Sequence, residues 1–381
     1  VWSATASCPG GQGARVDALP GADLPLAPVV PRSSSGQPLD PRGGLAVAAG
    51  PHGQVVVAGA DPVSSSRTIV VQGRSTGAFR LLARFAGSVQ PASLSTAWLG
   101  DVAVAGVAGP PTGNLFLRIE RFFADALGPA RQIAEGEGRV SALTVAMDFR
   151  SDAVAAWAQG GQVLVRPLPA RGPRHGVTAL GPAGRDPHIA VLISDDYRSI
   201  VMWSERSGSV TSVYLDYSAP GLTFGAPRLL ERFRDPAGPT PAASPLLIRL
   251  SGESVMAAWA GVQAGRWVVR TAPIDQHGLR TISTIASPAG PALPAALAPG
   301  PRDEAMLLLT EPGEDGRQAL LASRGVEQAP GVTIFSTPQR IATGTVQAPA
   351  VAIDPDSDRA LVAWQGQGGA VYWSLGSPSG G

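Results

Sequence analysis

The chain has 381 residues, 44% hydrophobic and only 15% charged, with 47 glycines, 36 prolines and a net charge of +1. Its single cysteine, Cys8, excludes an internal disulfide and a cysteine-built zinc site; the 30 basic residues, all arginine, lie scattered singly rather than in the stripe that nucleic acid requires. No apolar run reaches the roughly 18 residues of a membrane-spanning helix, and short apolar runs cut by Gly and Pro describe many turns rather than disorder.

In chain order, residues 1–25 are expected to form a disordered leader. Within it Ala4-Thr5-Ala6 fits the small-residue pattern ahead of a signal-peptidase cut, which points to export to the cell envelope or beyond. From residue 26 a unit recurs. It opens on a small-residue strand, as in LAVAAG (45–50), ALTVAM (142–147), IAVLI (189–193) and PAVAI (349–353). A polar turn leads to a second apolar strand, which in four copies carries Trp near its end. Placed in register, the copies put Gly59, Gly106, Trp157, Trp203, Trp259, Leu309 and Trp364 at one position, 46 to 56 residues apart. A third strand follows, such as QVLVR (162–166) or RWVVR (266–270), and then a variable fourth, such as FRLLARF (79–85) or PRLLERF (227–233). No stretch holds a helical period for three turns.

Seven units of four antiparallel strands predict an all-β fold: a single seven-bladed β-propeller over 26–376, with 377–381 a flexible tail. Crowding around the axis explains the Ala, Val and Ser of the first strand, and a Trp one strand further out would wedge between neighbouring blades. The last unit ends after its third strand, 370–375. An N-terminal strand, placed within Leu26–Arg32, is expected to complete it and close the ring, because an open ring leaves bare strand edges. The alternative is two β domains divided at the Pro-rich stretch 232–244; the even register across that stretch argues against it.

The motif of small-residue strand, Asp-containing turn and Trp-ended strand, as in VAMDFRSDAVAAW (145–157) and VAIDPDSDRALVAW (351–364), resembles the tandem sialidase-like (BNR-type) propeller repeats of exported bacterial proteins. The resemblance implies a propeller and, by analogy, glycans as ligands or substrates. It carries no catalytic residue across: the Ser-x-Asp-x-Gly-x-x-Trp box is unmatched, and Asp148 precedes Trp157 by nine residues.

Three local patterns suggest chemistry. Gly73-Arg74-Ser75-Thr76-Gly77 matches Gly-x-Ser-x-Gly, but between two strands it reads as a turn rather than a nucleophile elbow. Asp354, Asp356 and Asp358 alternate as in a calcium loop, yet Arg359 stands in the place of its glycine. Together with Asp148/Asp152, Asp195/Asp196 and Asp303/Glu304 they would form an acidic collar of hairpin ends. His52, His175, His188 and His277 are too far apart in sequence for a metal motif. The opposite face gathers the loops leaving the Trp-ended strands and those entering each blade. It would present Asp61, Arg67, Glu205, Arg206, Arg266, Glu311 and Arg317 as ligand-binding candidates, with Arg139, Arg185 and Asp186 beside them. Arginine forks suit carboxylates and sulfates. The tryptophans there are either sugar platforms or interblade packing. The expectation is a monomeric, non-catalytic binding or scaffold module for a carbohydrate or protein, without cofactor. The alternative is a glycoside hydrolase using Glu205 and a second acid on the same face.

Overall fold

The computed structural model describes residues 2–3, 40–49, 54–61, 64–74, 80–86, 93–96, 101–108, 114–120, 129, 131–134, 139–148, 150, 152–170, 175–194, 198–218, 223–236, 245–250, 254–275, 278–285, 292–300, 304–312, 317–329, 331–354, 359–366 and 371–376. Among them the regular structure is β throughout. Seven antiparallel sheets follow one another in the chain over 40–86, 93–134, 142–182, 185–234, 246–285, 293–344 and 347–376; they are numbered one to seven here.

Sheet three shows the unit plainly. Its strands Ala142–Met147, Ala153–Gln159, Gln162–Leu168 and Thr178–Pro182 lie side by side in chain order. Every residue of the second strand is buried, as expected where both faces are covered. The outer strand is mostly exposed, which relaxes the choice of residues there. Trp157 stands opposite Leu143 and Leu164; in sheet four Trp203 stands opposite Ile189 and Tyr214.

The turn between first and second strands also repeats. The N–H groups of Asp148, Ser194, Leu250 and Gly300 each donate to the carbonyl four residues further on, at 2.7–2.9 Å. Asp148 and Ser194 add a side-chain acceptor to that turn. Asp148 Oδ1 takes the Asp152 N–H at 2.9 Å, and Ser194 Oγ takes the Arg198 N–H at 3.2 Å. Such residues favour turns because their oxygens replace a backbone partner.

Sheets five and six depart from four strands. Gly278–Leu279 and Ser283–Ile285 both pair with Arg266–Asp275, while Val332–Phe335 and Gln339–Gly344 both pair with Gln318–Ala329. The third strands there are 10 and 12 residues long. The chain folds back on their far ends first, with Asp275 opposite Gly278 in sheet five.

The strand that completes sheet seven is Trp2–Ser3, antiparallel to Val371–Gly376. The stretch 26–32 expected in that role lies outside the described residues. The first strands pack against one another in sheet order, and that of sheet seven, Gln347–Asp354, lies against that of sheet one, Asp40–Ala49.

The core lies between the sheets. Trp157, Trp203, Trp259 and Trp364 are 0–1% exposed, and each packs on the sheet before its own. Trp157 meets Ala103, Ala105 and Ile133 of sheet two, and Trp203 meets Val163, Val165 and Leu180 of sheet three. Trp259 meets Met202, Val213 and Leu215 of sheet four; Trp364 meets Met306, Leu308 and Leu320 of sheet six. Leu309, at the same position in sheet six, packs against Ala258 and Val269 of sheet five. The tryptophans are packing wedges and offer no platform to a sugar.

Candidate functional site

In each sheet the second strand turns into the third at the end where the first strand begins, and the candidate residues gather at these ends. Sheet four shows how the chain is brought there. Gly184, at φ +60°, enters so close to the second strand that a Cβ would stand 2.9 Å from the N and O of Arg206, so only glycine fits. The strand then bulges between Arg185 and His188, with Asp186 left-handed at φ 49°. Arg185 is set opposite Arg206. Burial lowers the His188 pKa, against the opposing pull of Asp186.

Glu205 and Arg206, neighbours in sequence, point to opposite faces of the sheet, because side chains alternate along a strand. Glu205 lies on the Trp203 side. The Tyr214 ring stacks on Trp203 with centroids 5.2 Å apart, and its hydroxyl donates to Glu205 Oε1 at 3.0 Å. Burial, chiefly, and then the Glu205 contact raise the Tyr214 phenol pKa, so the phenol keeps its proton at neutral pH. Arg206 lies on the Met202 side, where its Nε is 2.8 Å from Asp235 Oδ2. Asp235 is itself fixed: Oδ1 accepts from Thr211 Oγ1 at 2.7 Å, and its N–H donates to Ser209 O at 2.8 Å.

The remaining candidates lie on other sheets. Arg266 is exposed where the tight turn at Ala264-Gly265 opens the third strand of sheet five. Arg317 is exposed just ahead of Gln318–Ala329 in sheet six. Glu311 shares the face of Leu307 and Leu309 and is only 4% exposed; its Oε1 has no hydrogen-bond partner among the described residues. Burial raises its carboxyl pKa and Arg340 opposes the shift. Asp61 ends the strand Gln54–Asp61 and Arg67 lies within Ser64–Arg74, but their side chains fall outside the described residues. Arg139 and Arg185 are exposed at the starts of sheets three and four.

The acidic turns at the other end serve their own hairpins. Asp148 Oδ1 accepts the N–H groups of Arg150 and Asp152, each at 2.9 Å, and Asp152 Oδ1 accepts that of Ala170 at 2.6 Å. Glu304 pairs with Arg324. Asp354 stands opposite Arg359, while Asp195, Asp196, Asp303, Asp356 and Asp358 lie outside the described residues. Among the described residues no group of three or more His, Cys, Asp or Glu side chains is placed to hold a metal ion. Gly73-Arg74 closes the strand Ser64–Arg74, and the rest of that glycine-serine stretch lies outside the described residues.

Sequence reasoning missed Glu231, Asp235 and Asp216. Glu231 accepts the Trp259 indole N–H, and Asp235 holds Arg206. Glu231 sits on the outer strand of sheet four and Asp235 directly follows it, where residues do not recur between units. Asp216 lies one residue before the end of a third strand as a buried carboxyl raised to about 6. Nothing in the local pattern marks these positions.

No protein-family model matches the sequence, and no curated protein matches it. Among solved structures the chain is similar to the polysaccharide lyase Uly1, at 9% identity over 87% of this chain and 89% of that chain, with a TM-score of 0.52. It is also similar to a puromycin-hydrolysing peptidase of Mycobacterium tuberculosis, at 12% identity over 89% of this chain and a TM-score of 0.51; it spans 52% of that longer chain. A lectin of Aleuria aurantia, a six-bladed β-propeller, aligns at 10% identity over 77% of this chain and 94% of its own, with a TM-score of 0.43. At these identities what is shared is architecture alone.

Proposed function

We propose that the chain is a seven-bladed β-propeller of the sialidase-like repeat type, closed by its N-terminal strand. On this reading it is an exported, monomeric binding or scaffold module without catalysis. Its ligand, a carbohydrate or a protein, meets the end of the sheets that bears the exposed arginines. Seven sheets in sequence, the contact of Gln347–Asp354 with Asp40–Ala49 and the pairing of Trp2–Ser3 support the ring.

The observation that carries the functional reading is how charge is arranged at that end. Among the described residues Arg139, Arg185, Arg266 and Arg317 are exposed there. Of the acids described there, only Asp186 is exposed; Glu311 is buried away from solvent, and Glu205, Glu231 and Asp235 are engaged by Tyr214, Trp259 and Arg206. Guanidinium groups open to solvent, with the carboxylates tied down behind them, can receive a carboxylate or sulfate but supply no acid–base pair. A polysaccharide lyase of like architecture makes polysaccharides the first probes.

The test is a glycan array and a polysaccharide-retention assay with the whole chain. Retention without release of new chain ends, weakened when Arg185→Gln and Arg266→Gln are combined, is the expected result. Release of sugar fragments would replace it with the glycoside-hydrolase alternative. Failure to retain any polysaccharide would remove carbohydrate as the ligand and leave a protein partner.

A further inference from the structure

Where their second strands turn into their third, sheets four and five present arginines that have no partner. Arg185 opens the first strand of sheet four, and Arg234, opposite Val210 beside the turn, closes its outer strand. Arg266, opposite Gln263, opens the third strand of sheet five. All three are exposed, and none makes an ion pair among the described residues. Arg206, opposite Arg185, is instead taken up by Asp235. The acids here are engaged in the same way, Glu205 by Tyr214 and Glu231 by Trp259 and Arg270; only Asp186 stays exposed. The segments that follow sheets four and five, 237–244 and 286–291, lie outside the described residues and contain no charged residue. The surplus of positive charge therefore belongs to the described strands. At the opposite end the pattern reverses: Arg280 pairs with Asp275, and Arg324 with Glu304.

What else lines the arginine tips narrows the ligand. The turn of sheet four exposes Ser207, Gly208 and Ser209, and that of sheet five Gln263, Ala264 and Gly265. Val177, Tyr217, Leu229, Ile282 and Ile334, the large apolar side chains exposed among the described residues, all lie away from these turns. A protein interface needs aromatic or aliphatic anchors at its centre, and the tips supply none. With the tryptophans buried, a neutral sugar would have only hydroxyl contacts, each nearly balanced by the bond to water that it replaces. Charge-assisted bonds from guanidinium to carboxylate or sulfate are stronger. Spacing argues against a dense polyanion. Arg185 and Arg234 stand on the first and fourth strands of one sheet, roughly 14 Å apart at the usual strand separation, and packed sheets lie about 10 Å from one another. Double-stranded nucleic acid carries a charge about every 1.7 Å of its axis, so most of its phosphates would go unmatched. Charges set on separate sugar units suit the arginines better.

We infer that this end holds a linear acidic polysaccharide, its carboxylate or sulfate groups received by Arg185, Arg234 and Arg266 across sheets four and five. The inference rests on the reading above that a ligand meets the arginine end, and it selects among the ligands which that reading leaves open. Each guanidinium comes from a different strand, so one chain must lie across both sheets to meet all three. The contacts then reinforce one another because they share a ligand. Asp235 neutralises Arg206, which relieves the repulsion between two guanidiniums set opposite one another and leaves Arg185 to the ligand.

The experiment measures the affinity of the whole chain for two matched pairs: dextran sulfate against dextran, and polygalacturonate against its methyl ester. The acidic member of at least one pair should bind about 10-fold or more tightly than the neutral one, and its binding should weaken as salt rises from about 50 to about 500 mM. The preferred pair tells sulfate from carboxylate. Arg185→Gln, Arg234→Gln and Arg266→Gln should each weaken that binding about 2–5-fold, and the triple variant about 10–100-fold. Arg228→Gln removes the same charge from the far end of the outer strand of sheet four, opposite Leu215, and should leave binding unchanged. Equal binding of both members of each pair would overturn the inference while leaving a carbohydrate ligand in place. Arg228→Gln as damaging as Arg185→Gln, or polyglutamate bound as tightly as polygalacturonate, would reduce the effect to bulk charge and overturn it as well. Binding to none of the four would remove carbohydrate as the ligand, and this inference with it.

Discussion

Trp259 donates its indole N–H to Glu231 Oε2 at 2.9 Å, joining sheet five to the outer strand of sheet four, and Arg270 Nε lies 3.7 Å from that same oxygen. Gly261 makes room for the carboxylate, since a Cβ there would stand 2.8 Å from both of its oxygens. Gly261→Ala should cost about 1–3 kcal/mol by forcing the Glu231 carboxylate aside. Glu231→Ala should cost about 1–3 kcal/mol by leaving a buried indole donor without its acceptor. Because both act on one contact, the double variant should cost less than the two together in chemical denaturation. Simple additivity would mean that the contact is not shared.

The buried tryptophans fill matching cavities between consecutive sheets. Trp157→Ala, Trp203→Ala, Trp259→Ala and Trp364→Ala should each lower stability by about 3–5 kcal/mol, and Leu309→Ala by about 2–5 kcal/mol. A thermal or denaturant series in which one of the four is nearly neutral would show that its cavity differs from the rest.

Asp148 stitches its turn through two backbone N–H groups. Asp148→Ala should therefore cost about 1–3 kcal/mol and speed hydrogen exchange of the Arg150 and Asp152 amides, with little change at the outer strand Thr178–Pro182. A uniform rise in exchange across sheet three would instead point to global loosening.

Glu311 is an acid whose folded-state pKa is raised by burial. Its folded form binds a proton more readily than its unfolded form, so its unfavourable contribution at neutral pH should fade as the pH falls through the raised value. Glu311→Gln should stabilise the chain at neutral pH and gain progressively less on acidification, as read by melting temperature. A variant less stable than its parent at neutral pH would indicate that the carboxylate is held by a partner instead.

The second strands of the units were legible in the sequence because, where their side chains are described, they are almost wholly buried and so covered on both faces. That leaves a narrow choice of Ala, Val and Trp, repeated wherever the surroundings repeat. The outer strands have water on one side, and their residues drift; the roles of Glu231 and Asp235 emerge only once neighbouring sheets are in place. Glu205 and Arg206 read as residues of one loop face because both follow a Trp-ended strand, whereas alternation along the strand aims them at different sheets. Glu311 read as a rim charge from its place at a strand end, since burial by a neighbouring sheet leaves no local mark.

Trp2 stands opposite Gly376 and Ser3 opposite Leu375. Among the described residues, tension applied between residues 3 and 375 therefore meets a clasp of two paired residues. Mechanical unravelling should begin at sheet seven and run backwards one unit at a time. A short covalent bridge across that clasp, with the chain reopened at another turn, would yield a permuted molecule whose weak point has been moved at will.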